Sequence, residues 1–288
     1  MSESTAEKSI YYIGRLRPAI GALPISQLTA PELLTALRRI EAKGNYETAQ
    51  RVLQLSGRVF RYAVSTARLA SDPSRDLRGA LTAPVAGHYG AILEARAAGQ
   101  LLRAIDGYDG YATTKLALQL APHGFVRPGE LRHAEWSEVD FDAAVWIIPS
   151  EKMNMRRAHH VPLSRQSVAV LHRLREISGS VGFLFPSIRT HLRPMSENTV
   201  NAALRRIGYV GNEMTAHGFR AMASTLLNES GKWSADAIER ALAHGEGDRV
   251  RAAYHRGAHW KERVEMAHGW SDYLDDLKAD RETVSSSS

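Results

Sequence analysis

VDFDAAVWIIP at residues 139–149, followed by HHVPL at 159–163, is the stretch of this chain that reads as sheet rather than helix. Val145, Trp146, Ile147 and Ile148 form a short β-branched and aromatic run, and the charged residues 151–158 separate it from the second run as a turn would. A small antiparallel sheet is therefore predicted over 139–163. The sequence around it has helical spacing. Upstream, a helix is expected from about Glu94, with Leu101, Leu102 and Ile105 turned inward, and another from about Thr113 to Leu120. Downstream, helices are expected over Ser164–Ile177, Ser196–Ile207, residues 218–230 and Ser234–Leu242. The predicted class is mostly α, with a mixed α+β part that holds the small sheet.

The N-terminal third reads as helices throughout. TAPE at 29–32 is a capping box, with Thr29 as cap and Glu32 at the third helical position. Leu33, Leu34, Leu37 and Ile40 then make an apolar face, and Gly44 stops the helix. A longer helix is expected from Asn45, burying Val52, Leu55, Val59 and Ala63. Arg51, Arg58, Arg61 and Arg68 recur by seven, three and seven, which places them on one stripe. Such a stripe suits contacts to a nucleic-acid backbone, although a solvated helix face would look the same. DPS at 72–74 and LTAPVAGHYG at 81–90 are rich in turn formers. The expected divisions are a helical domain over 1–82, a linker over 83–90, a larger domain over 91–260 and a helical tail over 261–288.

Composition narrows the classes. The chain has 288 residues, 44% of them hydrophobic and 24% charged, within the range of soluble globular proteins. It has no cysteine, so neither a disulfide framework nor a thiolate metal site is possible. No apolar run approaches the roughly 20 residues that span a bilayer, and no signal-peptide pattern opens the chain. No membrane partner and a cytoplasmic location are expected. Residues 1–85 carry a net charge of +5, against +1 for the remainder. Positive charge concentrated on the smaller segment points to a polyanion as much as to a well-solvated surface.

Arg127 in FVRPGEL, His217 and Arg220 in HGFR, His244 in LAH, and Tyr254 supply what an attack on a phosphodiester requires without a metal. Guanidinium groups neutralise non-bridging oxygens, imidazoles hold or move protons, and a phenol oxygen attacks phosphorus. Taken singly, Arg127 reads as a helix cap, His217 with Arg220 as a helix-start ion pair, and Tyr254 as a core aromatic. Their joint order favours the chemical reading. His123, His133, His159, His160 and His191 show no metal-ligand spacing and read as surface or core residues.

The ordered set, with its flanks VRPGELRHAEWSEVD, TAHGFRAMASTLLNE and VRAAY, resembles the tyrosine recombinases, the phage-integrase family, and within it the integrases of satellite phages and genomic islands. The likeness extends to YETAQRV and VFRYAV near the N-terminus, and so covers nearly the whole chain. It implies a helical core-binding domain and an α+β catalytic domain closing on opposite sides of duplex DNA. It also implies a reaction in which Tyr254 forms a 3′-phosphotyrosyl intermediate, releasing a 5′-hydroxyl that a second strand replaces. No cofactor, metal or ATP is called for, because one phosphodiester is exchanged for another. Arg127 and Arg220 would clamp the phosphate. His217 would accept the tyrosine proton or serve as a further phosphate ligand, and His244 would bond a non-bridging oxygen. Glu130 would orient a neighbouring arginine or histidine. The implied partners are double-stranded DNA attachment sites, with a tetramer assembled on two paired sites and a nucleoid-associated location. The implied task is integration or excision of a mobile element.

The chain departs from the family pattern at one catalytic position. Relatives carry a lysine on the sheet hairpin that protonates the leaving 5′-oxygen; counted back from Val161–Leu163, that position here is Asn154. Lys152 lies two residues earlier and would share its face in an extended strand. It is expected to take the role, with loss of Lys152 abolishing cleavage while sparing DNA binding; Arg156 is the other candidate. Arg156 and Arg157 are also expected DNA contacts. The chain opens directly with core-binding sequence, so recognition of distant arm sites is not expected. Near the end, Met266, Trp270, Tyr273 and Leu277 define an amphipathic helix interrupted by Gly269, which in the family packs in cis or on a neighbouring subunit. Two rivals remain: a DNA-binding relative that has lost turnover, and a type IB topoisomerase-like strand transferase.

Overall fold

The computed structural model describes residues 3–84, 89–153, 157–243 and 259–280. It forms two compact units, Met1–Gly87 and His88–Ser288.

Three helices build the first unit: α1 (Glu3–Ile20), α2 (Ala30–Glu41) and α3 (Tyr46–Ser65). The α2 start follows the capping-box prediction, since the Glu32 carboxylate accepts from both the backbone N–H and the hydroxyl of Thr29 at 2.9 Å. Gly44, at φ +76°, supplies the left-handed turn into α3. Leu33, Leu37 and Ile40 pack with Ala49, Val52 and Phe60, and Leu77 and Leu81 close the core. The expected α3 face needs one correction. Val59 is 41% exposed, and Phe60, at 3%, fills that level of the core instead.

The second unit is organised around α5 (Ala112–Gly124). Its buried residues Thr114, Leu116, Ala117, Leu118, Leu120 and Ala121 do not keep to one stripe, which marks a helix surrounded by others. Around it stand α4 (Ala95–Asp106), α7 (Arg165–Ser178), α8 (Thr199–Arg206), α9 (Gly218–Ser230) and α11 (Trp260–Lys278). Two shorter helices, α6 (Pro128–Arg132) and α10 (Ala235–Ala241), complete it. The predicted sheet is present as β1 (Val139–Asp140), β2 (Val145–Ile148) and β3 (His159–Pro162), antiparallel in the order β1-β2-β3, with Trp146 opposite Val161. A second hairpin, β4 (Pro186–Ser187) with β5 (Thr190–Pro194), was not anticipated from the sequence.

The C-terminal helix α11 is continuous through Gly269, so the expected interruption is absent. A Cβ at residue 269 would stand 3.0 Å from the Trp233 ring, and glycine there makes room for a neighbour rather than breaking a helix. Helix α11 packs in cis on α4 and α5, burying Met266, Trp270 and Leu274. The Trp270 indole donates to the Pro122 carbonyl at 2.8 Å. Arg103 caps the helix end by donating to the Leu277 and Lys278 carbonyls at 3.2 and 3.0 Å. The backbones come so close that a Cβ on Gly99 would lie 2.2 Å from the Leu277 oxygen. At its other end α11 is tied to α10: the Glu262 carboxylate accepts from the Ser234 N–H at 2.7 Å and from the Ser234 hydroxyl at 2.9 Å.

Two imidazoles are held neutral by this packing. His123 bonds the buried Ser271 hydroxyl at 2.8 Å, and burial lowers its pKa to about 4. His159, 9% exposed, is pushed down to about 3 by burial first and then by the Arg263 charge. A histidine with a depressed folded-state pKa contributes stability in full above its unfolded value, here near 6.5, and loses it as pH falls toward the folded value. At pH 5.5 each ring should have lost about 1.4 kcal/mol. Urea titrations at pH 7.5 and 5.5 should therefore differ by about 3 kcal/mol, and matching midpoints would count against the neutral assignment.

No helix among the described residues is long and apolar enough to cross a membrane.

Candidate active site

Helix α5 ends where Phe125 adopts φ +52°. This left-handed turn redirects the chain so that Arg127 becomes the residue preceding α6, with Pro128 at its first position. The Arg127 backbone N–H donates to Glu130 Oε2 at 2.7 Å. An arginine has no acceptor with which to complete a capping box. Its Nη1 instead grips Glu130 Oε1 at 2.8 Å, and its Nη2 donates to the Ala243 carbonyl at 3.1 Å. Glu130 is 7% exposed, and it fixes both the main chain and the side chain of Arg127.

Arg220 enters from the first turn of α9 and is 8% exposed. Its Nη1 donates to the Phe125 carbonyl, and its Nη2 to that of Leu242 at 2.6 Å. The two arginines thus meet on consecutive carbonyls just beyond α10, groups that a helix end leaves without intrahelical partners. Burial, followed by the charge of Arg127, brings the Arg220 pKa down to about 10, so the group stays cationic at neutral pH.

His217 directly precedes α9. Burial lowers its pKa first, then the charges of Arg220 and Arg127, with Glu130 opposing them. The ring is therefore neutral at pH 7 and able to accept a proton. It stacks on Tyr89 with centroids 4.8 Å apart. His159, on β3, also feels the charges of Arg220 and Arg127 and bonds the Ala241 backbone. It was read from the sequence only as a surface or core residue. The core alternative holds, since His159 is buried on the same strand face as Val161.

Lys152 departs from expectation. It closes a 3-10 turn, Ser150–Lys152, so the extended strand on which its assignment rested is absent there. Its ammonium donates to the His133 carbonyl at 2.8 Å, to Glu135 Oε1 at 2.6 Å and to Glu138 Oε1. Burial pulls its pKa down, but the bonds and charges of both glutamates outweigh this and raise it. A lysine with all three N–H groups engaged and a raised pKa is poorly placed to give up a proton. His244, Tyr254, Asn154 and Arg156 lie outside the described residues.

In the first unit, Arg51, Arg58 and Arg61 are exposed on α3. Arg68 is exposed too, but it lies past the helix end at Ser65, on the turn that Ala67 makes at φ +54°. The four still line one broad concavity of about 2780 Å³, together with Lys8, Arg75 and Arg78. Arg51 pairs with Glu47 at 3.6 Å and Arg61 with Asp72 at 3.8 Å. Arg157, in the second unit, is exposed. Among the described residues no group of three or more His, Asp or Glu side chains is arranged to hold a metal ion.

The fold is that of the DNA-recombining integrases. The chain matches solved structures of lambda integrase: a dimer of residues 75–356 bound to a COC′ core site, with a TM-score of 0.67 at 19% identity over 90% of this chain and 92% of that one. A lambda integrase tetramer bound to a Holliday junction gives a TM-score of 0.68 at 19% identity, over 86% and 74% of the two chains. In sequence, residues 92–259 match the model of the phage integrase family and residues 1–80 that of the phage integrase central domain. The integrase of Enterobacteria phage P4 is 42% identical over 272 residues, 90% of this chain and 62% of that protein. Putative protein IntB of Escherichia coli (strain K12) is 39% identical over 271 residues, 89% and 68% of the two chains. This chain belongs to the phage integrase family, the tyrosine recombinases. It spans less than two thirds of the length of the phage P4 integrase.

Proposed function

We propose that this chain is a site-specific DNA strand transferase that integrates or excises a mobile element, working without metal or ATP. The observation that carries the reading is the convergence of Arg127 and Arg220 on the carbonyls of Ala243 and Leu242, immediately before His244 in a chain that reaches Tyr254 ten residues later. Tyr254 Oη attacks a phosphodiester, its proton leaves to His217, the P–O5′ bond breaks with the departing 5′-oxygen taking a proton from water to leave as a hydroxyl, and a 3′-phosphotyrosyl adduct remains. A second 5′-hydroxyl reverses the step, so the bond energy stays in the adduct. Arg127, Arg220 and His244 hold the non-bridging oxygens while charge develops on them. Glu130 and Lys152 act as supports, the first for Arg127 and the second for the base of the sheet.

Residues 1–82 are assigned the grip on duplex DNA, through Arg51, Arg58, Arg61 and Arg68, and residues 91–260 the chemistry, with Arg156 and Arg157 as further DNA contacts. Residues 83–90 join the two, and 261–288 form the tail. The tetramer of lambda integrase on a Holliday junction supports a tetramer on paired attachment sites here, at the nucleoid. The test uses duplexes drawn from the DNA flanking the gene, each with one nick beside the candidate cleavage point so that the cleaved fragment diffuses away. The expected product is a protein–DNA adduct formed in EDTA and without ATP, with the nucleotide on Tyr254 by peptide mass spectrometry. An adduct on another residue, or a need for a divalent cation, would refute the reading.

A further inference from the structure

We propose that Tyr89 is a positioning residue for His217, fixing the plane of the imidazole from which it serves strand transfer; the proposal rests on the reading given above. The rings stack with centroids 4.8 Å apart and planes 22° from parallel. Tyr89 is 70% exposed, so burial does not hold it there. The backbone beside it does. The Gly90 carbonyl accepts from the Thr215 N–H at 3.0 Å and from its hydroxyl at 3.1 Å, and that hydroxyl accepts from the Gly218 N–H at 3.1 Å.

Two glycines allow the approach. A Cβ on Gly218 would lie 2.5 Å from the Gly90 oxygen, and one on Gly90 would lie 2.5 Å from the Asn212 carbonyl carbon. The strap that carries Tyr89 is thus sewn to the turn leading into α9, and the phenol ring lies over His217. The stack on Tyr89 is a ring-to-ring contact that bears directly on the plane of the His217 imidazole. An imidazole that must present one nitrogen to a reacting group gains from a fixed plane, because a freely turning ring spends much of its time misdirected.

An aromatic pair of this kind biases ring orientation by about two- to tenfold. Tyr89→Ala should slow adduct formation on the nicked duplex by about that factor, and Tyr89→Phe, which keeps the ring, should restore the rate. In a His217→Ala background, Tyr89→Ala should add nothing, because its effect passes through the imidazole. Equal slowing in both backgrounds, or slowing in neither, overturns the proposal. Proton NMR of the DNA-free chain gives a readout independent of activity. The His217 ring resonance, identified by its loss in His217→Ala, should lie upfield and move downfield in Tyr89→Ala, and a resonance that stays put also overturns the proposal. If the unaltered chain forms no adduct, the strand-transfer reading falls and the positioning role falls with it. The resonance would then still report whether the rings are stacked.

Discussion

Arg220→Lys is expected to slow formation of the covalent adduct by about 10²–10³, the usual cost of losing one transition-state donor, while DNA affinity changes little. The substitution keeps a nominal positive charge and removes the fork. Arg220 donates Nη1 to Phe125 and Nη2 to Leu242, and a guanidinium holds its donors in one rigid plane. An ammonium has three donors on one atom and no plane. The same burial that lowers the Arg220 pKa to about 10 acts on a lysine from a lower starting point, drawing it toward the neutral form. A rate within threefold of the unaltered protein, measured with equal DNA binding, would show that Arg220 only braces the α10 end.

Lys152→Ala is expected to destabilise the second unit by about 2–4 kcal/mol. Breaking a buried ion pair costs about 3–5 kcal/mol when one partner is removed, and the lower figure allows for side-chain exposures of 26% at Lys152 and 37% at Glu135. Glu138 is the liability. Its side chain is 6% exposed, and its Oε2 is already taken by the Trp146 indole at 2.9 Å. A substrate with sulfur in place of the leaving 5′-oxygen separates anchor from acid, because a thiolate departs without being protonated. A defect that persists equally on the sulfur substrate, beside a lowered melting temperature, is the expected result. Full recovery on sulfur would return Lys152 to the role of proton donor.

Much of the architecture could be read from local chemistry. Thr29 and Glu32 announced a helix start because a capping box is a contract between residues three apart. Val145–Ile148 announced a strand because nothing else in the chain combines β-branched and aromatic residues so tightly. The arginine pair was legible as chemistry, but its placement was not, since the carbonyls of Leu242 and Ala243 meet it only through the packing of α9 against α10. Errors arose where a neighbour distant in sequence decided the outcome. Gly269 reads as a break until Trp233 lies across it, and Lys152 reads as a strand residue until Glu135 and Glu138 draw it into a turn. The β4–β5 hairpin escaped notice because Pro186–Ser187 is too short to show a period. Tyr89 escaped because a lone aromatic in a turn-rich linker has no pattern to betray its partner.

The seating of α11 limits how copies of this protein can engage one another. With Met266, Trp270 and Leu274 facing its own α4 and α5, the most exposed ionisable side chains of the helix are Lys261, Glu265, Asp272 and Asp275. A second subunit reaching for the greasy side would first have to prise the helix away and leave that groove open to water. Any contact that another copy made on the outer side of this helix would meet these charges first, and raising the ionic strength should weaken such a contact.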